Sequence, residues 1–185
     1  MPSRRVSRPR KKPAFLAGEG LSERGYGRWL TRLAAEAHVP VAIRAEALRG
    51  GDPLDLVEQA IDRLRTIEKQ RGSYRTRGLL LDGDLRGQSS ERDAQAIRLA
   101  QNKRSRLIWQ EPSHEAFLLR HFAGYENHRP PDQASAERLL RRVWPDFRKG
   151  LDGGEYGRVL TAEHLAVARA VERELNAFLR DAGWR

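Results

Sequence analysis

Asp82-Gly83-Asp84 has the clearest capacity for chemistry in this 185-residue chain: two carboxylates flank a glycine directly after the apolar run Leu79, Leu80 and Leu81. A run that short and without polar alternation suits a strand buried on both faces of a parallel sheet. Gly83 lets the backbone turn and come close to a ligand, and open parallel sheets bind ligands beyond the carboxyl ends of their strands. Two like charges so near each other call for a cation. Glu19 follows a second apolar run, Pro13 to Gly18, in the same way. The ends of parallel strands share one edge, so Glu19, Asp82 and Asp84 are expected to converge there. Oxygen-only ligands completed by water describe a Mg²⁺ or Mn²⁺ site.

The elements that must position these acids follow from periodicity. After Pro13 to Gly18, the stripe Tyr26, Leu30, Leu33, Ala34 and Ala37 predicts a helix over about Glu23 to His38. Val39 to Leu48 alternates and predicts a half-exposed strand at a sheet edge. Asp52-Pro53 opens a helix to about Lys69, with an N-cap acid and proline at the first helical position. The Asp82 strand follows, then a helix from a Ser90-x-x-Asp93 capping pattern to about Asn102, and the short strand Arg106 to Gln110. Ser113 to Phe122 turns helical again. Gly124 to Asp132 is a loop, and the amphipathic stretches Ala134 to Trp144 and Thr161 to Ala182 predict closing helices on either side of a glycine-rich segment, Gly150 to Gly157. Four strands alternating with helices imply an α/β domain with a mostly parallel sheet flanked by helices and a C-terminal helical extension. The domain boundaries read as a basic arm over 1–12, a core over 13–125 and the extension over 126–185.

Charge narrows the partners. Lys and Arg number 35 against 25 Asp and Glu, yet Arg4, Arg5, Arg8, Arg10, Lys11 and Lys12 all fall in the first twelve residues, with no acid among them. Without them 29 basic residues face 25 acids. The excess is therefore concentrated in an N-terminal arm that reads either as a contact for nucleic acid or as a solvated leader. No cysteine occurs, which excludes disulfides, thiolate metal sites and cysteine nucleophiles. No apolar run reaches the ~20 residues of a membrane span, and no signal-peptide core follows the basic residues. A cytoplasmic protein is the expectation. The glycines around Glu19 do not form a nucleotide loop: G-E-G-L-S-E places Glu23 where the dinucleotide fingerprint has its third glycine, and the P-loop lysine is missing.

A strand ending in E-G, a later strand ending in D-x-D, and the alternating α/β order resemble the Toprim domain of primases, topoisomerases and OLD-type nucleases. From Phe15 to about Gly150 the chain looks most similar to the RloB-like branch of that family. The motifs are E-G-L-S-E-R-G-Y (Glu19 to Tyr26), D-G-D, and E-P-S-H-E-A-F-L-L-R-H-F (Glu111 to Phe122), which resembles the branch's N-P-x-F-E-x-W-x-L-x-H-F segment. The resemblance implies that Glu19 is a general acid/base or metal-proximal carboxylate, that Asp82 and Asp84 are metal ligands, and that Glu115 is a further acid at the site. It also implies that Lys149, in Phe147-x-Lys149, stabilises phosphate charge. Arg148 beside it reads as a phosphate contact. Glu111 and His114 depart from the branch's Asn and aromatic, and Leu21 stands where an acid is usual.

By this resemblance the chain is expected to be a Mg²⁺-dependent nuclease of bacterial antiphage defence, acting on nucleic acid, with a partner protein of the defence system as a further candidate contact. The alternative is a Toprim scaffold that binds nucleic acid or a nucleotide without turnover. A receiver-like phosphoacceptor at Asp82 leaves Glu19 and Glu115 without a purpose. On sequence grounds Glu115 either faces the strand edge or simply favours a helix N-terminus. His121 reads as a packed, hydrogen-bonded histidine.

Overall fold

A computed structural model describes residues 11–185; Arg4, Arg5, Arg8 and Arg10 of the expected basic arm lie outside them. The described chain is α/β, with four parallel strands in the order β2-β1-β3-β4. These are β1 (Lys12–Gly18), β2 (Val41–Ala47), β3 (Thr76–Asp82) and β4 (Arg106–Gln110). The helices α1 (Leu21–Glu36), α2 (Pro53–Arg71) and α3 (Ser90–Asn102) connect successive strands. α4 (His114–Leu119), α5 (Gln133–Val143), α6 (Gly153–Tyr156), α7 (Ala162–Val171) and α8 (Arg173–Ala182) follow the sheet. The arrangement is consistent with a Toprim-like α/β domain extended by C-terminal helices.

The central strands are covered on both faces. Ala14 and Leu16 of β1 and Leu80 of β3 pack with α1 and the C-terminal helices through Tyr26, Leu30, Phe117 and Phe178. Their neighbours Phe15, Ala17, Leu79 and Leu81 pack on the other face against Leu56, Val57, Leu64 and Ala96 of α2 and α3. Two-sided burial is why these strands read as continuous apolar runs. β2 is an edge strand, as its alternation implied. Asp52 caps α2 by accepting from the backbone N–H groups of Leu54 and Asp55.

Three local expectations change. Lys12 does not belong to an arm: it starts β1, pairs with Val41, and donates its backbone N–H to the Pro40 carbonyl at 2.7 Å. It therefore sits at the rim of the sheet opposite Asp82. Ser89, not Ser90, caps α3, its hydroxyl accepting from Arg92 N–H. The single helix expected over Thr161 to Ala182 is broken at Glu172, whose ψ of 83° leaves the helical region. Periodicity continues across the break, so the cause is tertiary. Glu172 turns inward to accept from Nε of Arg120, which is only 1% exposed. Arg120 Nη1 also donates to the Glu111 carbonyl at 2.8 Å.

This buried pair therefore ties the C-terminal helices to the loop between β4 and α4. Removing one partner strands a buried charge, whereas replacing both with apolar groups does not. Glu172→Gln is expected to lower unfolding free energy by about 3–5 kcal/mol. The double change Arg120→Met with Glu172→Leu is expected to recover most of that loss. Urea denaturation of the three proteins checks the ordering.

Candidate functional site

Gly18 ends β1 against Glu23, which lies in the first turn of α1. A Cβ at Gly18 would stand 2.2 Å from the Glu23 Cβ, so the glycine is what lets this carboxylate cross the end of the strand. Glu23 is buried and its Oε2 accepts from the Gly20 N–H at 2.9 Å. Glu19, between them, is half-buried. Asp82 closes β3, in register with Gln110 of β4. A 3-10 turn, Gly83–Leu85, then carries Asp84 into solvent. Asp84 N–H donates to the Pro112 carbonyl at 3.1 Å, and a Cβ on Gly83 would meet the Glu111 carboxylate at 2.1 Å. The D-G-D turn is thereby locked to the loop that opens α4.

Glu115 stands in the first turn of α4 and is 3% exposed. Its Oε2 accepts from the Ser113 hydroxyl at 2.8 Å and from Gln133 at 3.3 Å, and Lys149 Nζ lies 3.4 Å from its Oε1. The expected acids Glu19, Asp82, Asp84 and Glu115 thus come to one rim, and Lys149 joins them. Arg148 is turned to Glu155 instead, with which it forms an ion pair.

The electrostatics identify Asp82 as the centre. Burial, followed by the charges of Glu23, Glu19, Glu115 and Asp84, pushes its carboxyl up to about 8. Its Oδ1 is buried with no hydrogen-bond partner, a costly state for a polar atom. Glu19 is raised by its own burial and by Glu23 and Asp84, with Lys149 opposing. Burial alone would raise Glu115 too, but the Ser113 hydroxyl, a backbone N–H, His114 and Lys149 outweigh it and hold the group below its usual value. Glu115 is the settled anion of the group and Asp82 the unsettled one.

A buried polar layer backs the rim. His114 Nδ1 lies 2.7 Å from Gln110 Nε2 and 3.8 Å from Glu23 Oε1, and its Nε2 is 2.9 Å from the Tyr156 hydroxyl. Burial lowers His114, so it faces Glu23 as a neutral ring rather than as half of an ion pair. His121 bonds the Tyr26 hydroxyl at 2.9 Å and the Phe117 carbonyl at 3.0 Å, and burial pushes it down to about 3. It is the packed histidine that the sequence implied.

Glu23 is the site residue that sequence reasoning passed over. It occupies the third helical position, where a capping-box acid belongs, and it does fill that role. Its membership of the rim follows only from Gly18 and its burial. The acids suit a hard, oxygen-seeking cation in donor type and charge, and the orphaned Asp82 oxygen fits such a guest. Among the described residues, no three His, Asp or Glu side chains already stand close enough to hold one ion between them. Exposed Asp84 is the acid freest to adjust.

Fold and rim together define a parallel α/β protein with an acidic site at the carboxyl ends of β1 and β3. Compared with protein-family models, known proteins and solved structures, the chain finds no match. Among the described residues no helix is long and apolar enough to cross a membrane.

The raised Asp82 carboxyl has a thermodynamic consequence. In the unfolded chain this acid ionises near 3.8, while in the fold it keeps its proton to about 8. Between those values the folded state binds more protons, so stability falls as pH rises through the window. Asp82→Asn is expected to unfold at higher urea concentration than the unaltered protein, with a gap that widens from about pH 5 to about pH 9. Urea titrations of both proteins at the two pH values check this; a constant gap is inconsistent with a strained Asp82.

Proposed function

We propose that this protein is a divalent-cation-dependent phosphodiester-cleaving enzyme, a nuclease. The observation that carries the reading is the convergence of Glu19, Asp82, Asp84 and Glu115, from three separate stretches, around a buried carboxylate oxygen that has no hydrogen-bond partner. Asp82, Asp84 and Glu19 would hold the ion. When bound, Mg²⁺ or Mn²⁺ neutralises charge on phosphate oxygens and acidifies water.

The chain's own residues divide the remaining work. Glu19, raised by burial and by the neighbouring acids Glu23 and Asp84, is a stronger proton acceptor than an ordinary exposed glutamate, the role of a general base. Lys149 is exposed and ion-paired to Glu115, so Glu115 holds its ammonium at the rim, where it can meet a phosphate. Ser113 and Gln133 hold Glu115 in turn. The resemblance to RloB-like proteins supports a role in bacterial antiphage defence.

The double change Asp82→Asn with Asp84→Asn is expected to abolish Mn²⁺-dependent cleavage of DNA or RNA, a loss of at least ~100-fold if the ion is essential. Mn²⁺ is also expected to raise the melting temperature of the unaltered protein and not that of the double variant. Cleavage that survives the double change overturns the mechanism. Unchanged nucleic acid after long incubation with Mn²⁺, alongside salt-sensitive binding, would instead identify a binding module on the same scaffold.

A further inference from the structure

The helix that carries Glu23 also carries a feature that the reaction itself does not use. Arg24, Arg28 and Arg32 follow one another on α1 at four-residue spacing. They form one stripe, with about 6 Å of rise per step. The stripe begins one residue after Glu23, in the end of α1 nearest the rim, and descends along a groove of about 610 Å³ between α1, the outer strand β2 and the start of α6. Arg28 and Arg32 are exposed and Arg24 half-buried. Arg44 of β2 stands across the groove.

Such a stripe is unfavourable for the helix on its own. Like charges four apart repel, and Arg24 places a cation in the N-terminal part of a helix, where the dipole favours anions. Among the described residues none of the three forms an ion pair. Some arginines elsewhere on the surface find carboxylates, Arg65 with Asp62, Arg141 with Glu137 and Arg106 with Glu174, and among the described residues others such as Arg71, Arg98 and Arg142 do not, so what sets the α1 stripe apart is its regular spacing along one groove. The groove contains two acids, Glu46 and Asp152. Glu46 is buried and held by Arg44 and Arg63. Asp152 caps α6 by accepting from Gly154 and Glu155 N–H, and it keeps a negative charge that Arg158 and Arg32 attract without forming an ion pair with it. Four arginines against two carboxylates leave the groove positive, and the three on α1 are periodic and linear, the complement of a polyanion with regularly spaced phosphates.

We propose that Arg24, Arg28 and Arg32 form a track for the sugar–phosphate backbone of a single nucleic-acid strand, which the groove beside β2 guides into the carboxylate rim. The proposal rests on the reading of that rim as a phosphodiester site, and it assigns the approach path to α1 and not to the N-terminal basic residues. Recognition here is through phosphate and is independent of base sequence.

The test is fluorescence anisotropy of labelled oligothymidylate and oligouridylate, titrated with full-length protein across a series of salt concentrations. The triple change Arg24→Gln, Arg28→Gln and Arg32→Gln is compared with Arg65→Gln, Lys69→Gln and Arg71→Gln on α2, which packs on the opposite face of the sheet. Three lost phosphate contacts on a single strand should flatten the slope of log K against log salt by about 2. The α2 variant should keep the original slope. Unchanged or raised melting temperature of the α1 variant shows that folding is intact, because repulsion within the helix has been relieved.

Equal slopes in the two triple variants overturn the track, as does the absence of salt-sensitive binding by the unaltered protein. Cleavage is read separately. If Mn²⁺-dependent cleavage persists while the α1 variant binds normally, the enzymatic reading stands and the track fails. If no cleavage is seen but the slope flattens as expected, the track stands and the enzymatic reading fails.

Discussion

Several carboxylates held together at one partly desolvated rim are the constraint that the fold has to satisfy. Asp82 cannot move away from this arrangement, because it is the last residue of a central strand paired on one side with β1 and on the other with β4. β1 ends beside it and delivers Glu19 and Glu23, and the loop after β4 delivers Glu115. Each strand is held in place by apolar packing on both faces, so hydrophobic burial supplies what the repulsion among these acids opposes. The result is a carboxyl that holds its proton to about 8 and an oxygen without a partner. A fold that retains such a cost at the carboxyl ends of parallel strands has the character of a binding or reacting site.

The C-terminal helices are part of that arrangement. Glu172 interrupts what would otherwise be one helix to reach Arg120, and Arg120 reaches the Glu111 carbonyl. Glu111 fills the space left open at Gly83, and Pro112 accepts the Asp84 N–H. Tyr156 of α6 meets His114 Nε2, while the Nδ1 of the same ring faces both Gln110 and Glu23. The extension thus supports the acids from behind with a buried ion pair and the Tyr156 hydroxyl and contributes Lys149 at the front. Loss of these supports would free the loop before α4 and with it the geometry of the D-G-D turn.

The legibility of the site was uneven for identifiable reasons. Asp82, Asp84 and Glu19 stood out because each follows a short apolar run, and parallel topology brings such ends to one edge. Glu115 could be placed near that edge from its position just after β4, though an ordinary helix-capping acid would look the same. Glu23 was hidden by its capping role. Lys149 rested on resemblance alone, since its approach to Glu115 depends on how the segment after α5 returns to α4. Lys12 was counted with its basic neighbours, yet a strand can begin on a lysine whose side chain remains in solvent.

Local pattern by itself determined the order of the four strands and of the helices between them, the burial of β1 and β3 on both faces, the edge position of β2 and the acids at the strand ends, but neither α6 in the glycine-rich segment nor the division of the last helix into α7 and α8. These follow from periodicity and turn chemistry, which act between near neighbours in the chain. Only the tertiary structure decided that Glu23 joins the rim, that Glu172 breaks a helix, and that three arginines of α1 face a groove without carboxylate partners. Each of these depends on a contact, or the lack of one, between residues far apart in sequence. No periodicity encodes such contacts; they are settled when desolvation, packing and charge are resolved together in three dimensions.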